Sequence, residues 1–513
     1  MAIDLTRRDL LHLAGAALSL AGCGEPQPDA PPPDPGPPMP PTFEHGVASG
    51  DPTPVAVILW TRVTPRAGTR PATLTVAWEV SERDDFSTLA ASGEAVTAAQ
   101  RDWTVKVDAA GLTPGTAYHY RFRSVGVTSP AGRTRTAPTG PTARVRLAVC
   151  SCSNYAAGYF HAYRAMAARD DLDAVVHLGD YIYEYPDGYY GNTRRLEPPH
   201  ETVTLADYRA RYAQCRRDPD MQAAHARHPF VVVWDDHELA NNTWRDGAKE
   251  HMPGAEGPWS ARRAAATKAY MEWLPLREQP DGRIFRALAF GDLAHLVMLD
   301  TRLWGRDVQP PSRQAAADPR RELLGDDQAR WLVAEVTRTR ARWKVIGQQV
   351  MVGQFRGFNF DYLDVWDGYP AARARLFESV RAMGVSDVVV LTGDIHASFA
   401  MDLTEDPYEP RAYDPATGRG AVAVEFVTPA VSSPPLPFVQ AVAPAALYRA
   451  MPHMRYVDAT RNGFMLVDLT PERAACTWMY VGDVRRPADP TLDEGPTLAA
   501  RAGENHLQRG ATG

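Results

Sequence analysis

Between residues 144 and 396 the chain alternates short, continuously apolar runs with longer helical patterns, and this alternation limits its fold more than any other feature. The runs cover residues 145–149, 174–178, 230–234, 294–299, 344–347 and 388–392. Each reads as a strand buried on both faces, as in parallel or two-sided sheets. Residues 159–169, 205–212, 260–273, 326–340 and 371–383 read as helices. The expectation is an α/β sandwich, a class that places its sites just past the carboxyl ends of strands.

Acidic and metal-capable residues stand at four of those ends. The first carries Cys150-Ser151-Cys152-Ser153-Asn154, and the second Gly179-Asp180 with Tyr183 close behind. The third carries Asp235-Asp236-His237-Glu238 with Asn241 and Asn242, and the fourth Asp394-Ile395-His396. Taken singly, each has a bland reading: a core or disulfide-bonded cysteine, a helix-capping Asp, a hydrogen-bonded His. Adjacent carboxylates such as Asp235 and Asp236, however, repel unless cations neutralise them. Asp394 and His396 are expected to alternate onto one side of their strand and so reach one centre. Together the four ends hold the ligand inventory of a two-metal site. Thiolate and phenolate suit a ferric or similar ion, whereas carboxylates suit Ca²⁺, Mn²⁺ or Mg²⁺.

Upstream, residues 42–141 carry β-like runs at 55–60, 74–80 and 103–107, separated by Gly, Pro, Asp and Ser. They read as a small all-β sandwich domain. Residues 112–122 look like the turn and late strand of fibronectin type III domains, where a Tyr packs across the corner. Residues 136–142 read as an interdomain linker. Of the sixteen residues 26–41, ten are Pro, which makes residues 24–41 a stiff linker. Residues 1–23 read as an address: Arg7-Arg8, a mildly apolar stretch over 10–21, then Leu20-Ala21-Gly22-Cys23, similar to a bacterial lipobox lipidated at Cys23. The expectation is folded export by the twin-arginine machinery to a periplasmic or cell-surface lipoprotein, touching the membrane through its lipid anchor only. No internal run of 18 apolar residues occurs, and a net charge of −7 argues against a stable nucleic-acid partner. Residues 429–437 read as a long loop, and residues 486–513 as a polar tail, either disordered or folded back as a lid. Cys215 and Cys476 have no close partner in sequence.

Residues 43–484 closely resemble the PhoD-like alkaline phosphatase and phosphodiesterase family. The words that carry the resemblance are His45-Gly46-Val47-Ala48-Ser49-Gly50-Asp51-Pro52, Leu178-Gly179-Asp180-Tyr181-Ile182-Tyr183-Glu184, Trp234-Asp235-Asp236-His237-Glu238, Leu299-Asp300-Thr301-Arg302, Trp366-Asp367-Gly368-Tyr369-Pro370 and Leu391-Thr392-Gly393-Asp394-Ile395-His396. The resemblance implies a fibronectin- or immunoglobulin-like domain followed by a calcineurin-like metallophosphoesterase core, an αββα sandwich over residues 142–485. It implies Fe³⁺ with Ca²⁺, Mn²⁺ or Mg²⁺ being substitutes, and hydrolysis of phosphate mono- or diesters by direct attack of water activated on the metals. By the same resemblance Cys152, Asp180, Tyr183 and His396 hold iron, Asp180 bridges, and Asp236 and Asp394 face calcium. Cys152 is preferred to Cys150 because Ser153-Asn154 fits the family register, which leaves Cys150 in the core. Asn154, His237 and Arg302 are the substrate-binding candidates. His237 is expected to protonate the leaving group or orient phosphate, against a hydrogen bond to Asp235 or a strand carbonyl. Arg302 either binds phosphate or forms a structural salt bridge. Trp366 and Tyr369 either line the pocket or pack into the core. Two other functions compete: a metal-dependent hydrolase of carboxyl esters or lactones, and a non-catalytic surface metal-binding lipoprotein.

Overall fold

The computed structural model describes residues 40–69, 71–356, 362–435 and 444–509. The twin-arginine segment, Cys23 and the Pro-rich stretch as far as Met39 lie outside the described residues.

The apolar runs form the centres of two sheets. In a seven-stranded sheet, Ala294–Met298, Trp343–Gln348, Val388–Thr392 and Ala421–Val427 run parallel, flanked by Arg286–Phe290 on one side and by Ser398–Thr404 and Met454–Asp458 on the other. In a ten-stranded sheet, Val145–Cys150, Ala174–His177, Pro229–Val232 and Val47–Gly50 run parallel. Along Val388–Thr392 successive side chains enter different cores: Val389 and Leu391 pack with Val149 and Val175 of the other sheet, whereas Val388 and Val390 pack with Leu332 and Phe377. Leu332 belongs to helix Asp326–Arg338 and Phe377 to helix Pro370–Ala382. On the far side, Tyr163, Tyr208 and Trp273 bring the helices His161–Ala167, Leu205–Arg216 and Trp259–Trp273 onto the ten-stranded sheet. The architecture is an αββα sandwich, and the unbroken apolar runs follow from strands covered on both faces.

The N-terminal sandwich is present but shares a layer with this core. Leu74–Ser81, Ala91–Thr97 and Ala117–Ser124 lie in a separate five-stranded sheet. Its partner layer is made of Val47–Gly50, Ala56–Arg62 and Thr104–Ala110, which continue the ten-stranded sheet. The reason is visible in the side chains: Val47, Val57 and Leu59 face Val80, Tyr120 and Phe122, while Ala48 and Trp60 enter the main core. The Tyr118 hydroxyl accepts the Thr113 N–H at 2.8 Å, which locks the corner expected there.

The expectation of a polar tail beyond Arg485 is corrected. Leu492–Arg501 and Leu507–Arg509 are strands that extend the ten-stranded sheet. This margin of the sheet buries little: Leu507–Arg509 is the edge strand and pairs with residues 498–500, so Leu498, Ala500 and Leu507 suffice to seat both strands while Asp493 and Glu494 face water. Buried Asp402 of the seven-stranded sheet accepts the Leu507 N–H and pairs with His506, fastening the end of the chain across the sandwich. Cys150, Cys215 and Cys476 are buried free thiols.

Two buried histidines at the amino ends of strands Pro229–Val232 and Met454–Asp458 set an acid limit on stability. His228 and His453 donate from Nε2 to the carbonyls of Met166 and Gln354, and burial holds both at about 4. Their folded pKa lies below the unfolded value of about 6.5, so protonation favours the unfolded chain. The stability they contribute is complete above that value and is lost as pH falls towards 4. Thermal unfolding should therefore show a midpoint that drops over this window, and His453→Gln should lessen the drop. An unchanged slope in the variant would contradict the assignment.

Candidate metal centre

The carboxyl ends of the parallel strands from both sheets converge, and the chain turns sharply at each. Cys152, Asp180, Asp394 and His396 take φ values of 63°, 57°, 64° and 52°, a left-handed region that residues with a Cβ enter at a cost. Such conformations persist only where the surroundings hold them, and they cluster at functional sites. Asp394 and His396 thus reach the centre through a left-handed turn after Thr392, not by strand alternation as expected. Gly179, at φ 109°, lets two strand ends meet, since a Cβ there would sit 2.3 Å from the Asp235 Cβ.

Three overlapping groups of metal-capable atoms result, each with its atoms within 4.8 Å of one another. They are Cys152, Asp180 and His396; Asp180, Asp236 and His237; and Asp235, Asp236 and Asp394. Asp180 and Asp236 are each shared by two neighbouring groups. Tyr183 joins the first: its hydroxyl donates to Asp180 Oδ2 at 3.0 Å and lies 3.2 Å from His396 Nε2. Of the residues expected at the metals, Cys152, Asp180, Tyr183 and His396 come together on one side, and Asp236 and Asp394 on the other.

A layer of side chains behind these groups fixes them. The His396 Nδ1 donates to the Pro434 carbonyl at 2.9 Å, which leaves Nε2 as an acceptor turned to Tyr183 and the first group. Ser433 donates to the Tyr183 hydroxyl at 2.7 Å, so the Pro-rich loop is part of the site's wall. Buried Glu238 accepts the N–H groups of Asp180, Tyr181 and Asp235 at 3.1, 2.6 and 2.8 Å and ties two strand ends into one unit. His237 points Nδ1 at Glu184 Oε2, 2.7 Å away, and its ring lies on Tyr183 with centroids 4.2 Å apart. Burial opposes a charge on His237, but the carboxylates of Glu184, Asp236 and Asp180 outweigh it and hold its pKa well above the usual value.

The remaining substrate candidates are otherwise engaged. Arg302 is fully buried; its guanidinium donates to Asp235, to Asp364 at 2.6 Å and to Asp394 at 3.1 Å, and stands 3.5 Å from Asp236. Of its two expected roles, this is the salt bridge. Asn154 spends its amide on the loop backbone, donating to the Tyr190 carbonyl at 2.7 Å and accepting the Ala157 N–H at 3.1 Å. Trp366 and Tyr369 are buried in the core, bonded to Gln348 and to the Asp307 carbonyl. Sequence reasoning assigned no role to Glu184, Glu238 and Asp364, and read Asp235 only as one of an adjacent pair that calls for cations. Glu184 and Glu238 stand inside words already singled out, but their partners lie elsewhere in the chain.

The residues fit cations. Asp180 Oδ1, Asp235 Oδ2 and Asp236 Oδ1 are buried without a hydrogen-bond partner, an arrangement that costs free energy unless a cation meets them. Burial, with Asp180 adding to it, pushes the Cys152 thiol and the Tyr183 hydroxyl well up, so a positive charge must be present for either to act as an anionic ligand. Burial keeps His396 neutral, with a pKa of about 4, as ligation requires. Thiolate, phenolate and imidazole on one side suit a ferric ion, and carboxylates on the other suit a hard divalent cation.

A family model described as PhoD-like phosphatase matches residues 147–478, and one described as PhoD-like phosphatase, N-terminal domain, matches residues 30–138. The chain is 35% identical over 472 residues to alkaline phosphatase D of Bacillus subtilis (strain 168), covering 87% of this chain and 78% of that one. A solved structure of PhoD matches with a TM-score of 0.83 at 33% identity, covering 92% of each chain.

Arg302 is a fixed cation among carboxylates that cations would otherwise neutralise, so its loss should matter most when metal is removed. Arg302→Met should destabilise the chelator-treated protein by about 3–5 kcal/mol, the usual cost of leaving buried charges unpaired. Metal-loaded protein should lose less. Equal losses in thermal unfolding with and without metal would contradict this role.

Proposed function

The chain belongs to the PhoD-like phosphatase family and hydrolyses phosphoric esters, and from that premise we propose how its strand-end cluster does so. Two cations would lie in it, Fe³⁺ held by Cys152, Asp180, Tyr183 and His396, and Ca²⁺ held by Asp236 and Asp394 with Asp235 beside them. Bound there, such ions supply Lewis acidity to phosphoryl oxygens and a lowered pKa to water. The observation that carries this reading is the sharing of Asp180 and Asp236 between adjacent groups of metal-capable atoms, because a carboxylate placed between two such groups could serve a cation in each.

The protein's own side chains supply the rest. Glu238, through three backbone N–H groups, keeps Asp180 and Asp235 aimed at the cluster. Arg302 holds Asp235 and Asp394 in place from behind. His237, with Nδ1 held by Glu184, presents Nε2 to the cluster and carries a proton for the leaving oxygen. Water attacks the phosphorus directly, without a phosphorylated side chain. Export in the folded state and anchoring at Cys23 complete the proposal, supported by Arg7-Arg8 and Leu20-Ala21-Gly22-Cys23. Partition of Cys23→Ala into the aqueous phase of a detergent separation, with the unaltered protein in the detergent phase, tests the anchor.

Metal content and rates on phosphate mono- and diesters test the centre. Asp180→Asn should lose both metals and nearly all activity. Cys152→Ser should lose iron and keep calcium, because a neutral hydroxyl replaces an anionic thiolate. His237→Ala should keep both metals and slow turnover by ~10²-fold or more on esters with poor leaving groups, with a smaller loss on activated aryl esters. Full iron in Cys152→Ser, or an equal loss on both ester classes in His237→Ala, would contradict the corresponding assignment.

A further inference from the structure

A ladder of aromatic rings runs outward from His237. The Tyr185 ring lies 5.1 Å from the His237 ring, and the Tyr189 ring lies 4.8 Å beyond it, tilted by 39°. Tyr190 closes the inner side against Tyr185 at 5.7 Å, its hydroxyl 3.2 Å from His396 Nδ1. The burial changes along this short path: Tyr183 is 3% exposed, Tyr185 is half-buried and Tyr189 is 64% exposed. A tyrosine normally covers most of its ring, so one held this far out beside a reaction centre presents aromatic surface to whatever enters.

Hydrogen bonds hold the backbone that carries the ladder. Fully buried Arg211 donates to the carbonyls of Tyr183, Tyr185 and Pro198, pinning the backbone on the inner side. Asp187 accepts the Leu196 N–H at 3.1 Å and donates its own N–H to the Pro199 carbonyl at 2.8 Å. Gly188, at φ 78°, allows the turn that sets Tyr189 against Tyr185, and the Tyr189 N–H closes it on the Pro186 carbonyl. A pre-ordered ring surface spends little conformational entropy on binding, as a recognition platform requires.

We propose that Tyr185 and Tyr189 form a subsite for a planar aromatic group esterified to the phosphate, a nucleobase-bearing or aryl group, stacked on the ladder while the phosphate sits beside His237. This rests on the phosphoesterase centre described above and adds the part of the substrate that lies outside it. Stacking is tolerant of ring identity, since every aromatic ring has a face to offer. The subsite therefore selects aromatic over alkyl esters without reading a hydrogen-bond pattern.

Calorimetric binding of the phosphonate analogues of AMP, phenyl phosphate and glycerol 3-phosphate, in which a methylene replaces the ester oxygen so that they cannot be hydrolysed, to the metal-loaded protein tests the subsite apart from turnover. The two aromatic probes should bind the unaltered protein more tightly than the glycerol 3-phosphate analogue. Tyr189→Ala should reduce that preference by roughly tenfold, the usual worth of one stacked ring, and Tyr189→Phe should retain it. Loss for the AMP analogue alone identifies a nucleobase subsite and loss for the phenyl phosphate analogue alone a small aryl subsite; a preference unchanged in Tyr189→Ala overturns the proposal. Turnover of the matching esters separates the two readings: failure to cleave either ester class would count against the centre, whereas an unmoved aromatic preference counts against the ladder alone.

Discussion

Buried negative charge at the meeting point of the two sheets is the constraint on which the rest of this structure depends. Asp180, Asp235, Asp236, Asp364 and Asp394 crowd one region with little access to water, and Arg302 threads among four of them. Burial pushes Asp394 up to about 7 and holds Asp180 and Asp235 well above the usual carboxylate range. Asp236 is held low, at about 2, where Arg302, His237 and the Asn242 N–H outweigh its burial. One guanidinium leaves most of these groups favouring a proton, and cations convert them to anionic ligands.

The sandwich exists in the form that brings such groups together. Parallel strands deliver every carboxyl end to the same edge of each sheet, and stacking two sheets with their apolar faces together sets those edges side by side. The local price is backbone strain, since Cys152, Asp180, Asp394 and His396 all sit in the left-handed region. Glu238, Arg302 and the Pro434 carbonyl hold those turns in place, so the chain's own hydrogen bonds set where the metal-capable side chains point. The same kind of support continues outward in the ladder from His237 to Tyr189.

Most of the core was legible in the sequence because two-sided burial writes itself as unbroken apolar runs: residues 388–392 were read to the residue, and the strand at 145–149 to within one. The residues of the strand-end cluster were noticeable because acidic and sulfur side chains at strand ends have few other uses in combination, whereas their division between two metals came from the family resemblance alone. Glu184, Glu238 and Asp364 were not, because they act by accepting backbone N–H groups or guanidinium donors far away in sequence, and no local spacing marks such partners. The strand Leu492–Arg501 escaped notice for the opposite reason: next to the sheet's edge, and paired on its outer side only over residues 498–500, it needs few apolar residues, so its composition is that of a surface tail. The shared layer at Val47–Gly50 and Ala56–Arg62 was likewise hidden, since an inward-facing residue looks the same whichever core it enters.

The central claim is that two unlike cations occupy the strand-end cluster, divided between its sulfur-phenolate and carboxylate sides. Anomalous X-ray scattering from crystals of protein purified without chelator, recorded on both sides of the iron absorption edge, tests it most directly. The account predicts an iron peak among Cys152, Asp180, Tyr183 and His396, and a second, iron-free density peak between Asp236 and Asp394. No iron peak, or an iron peak on the carboxylate side only, would contradict it.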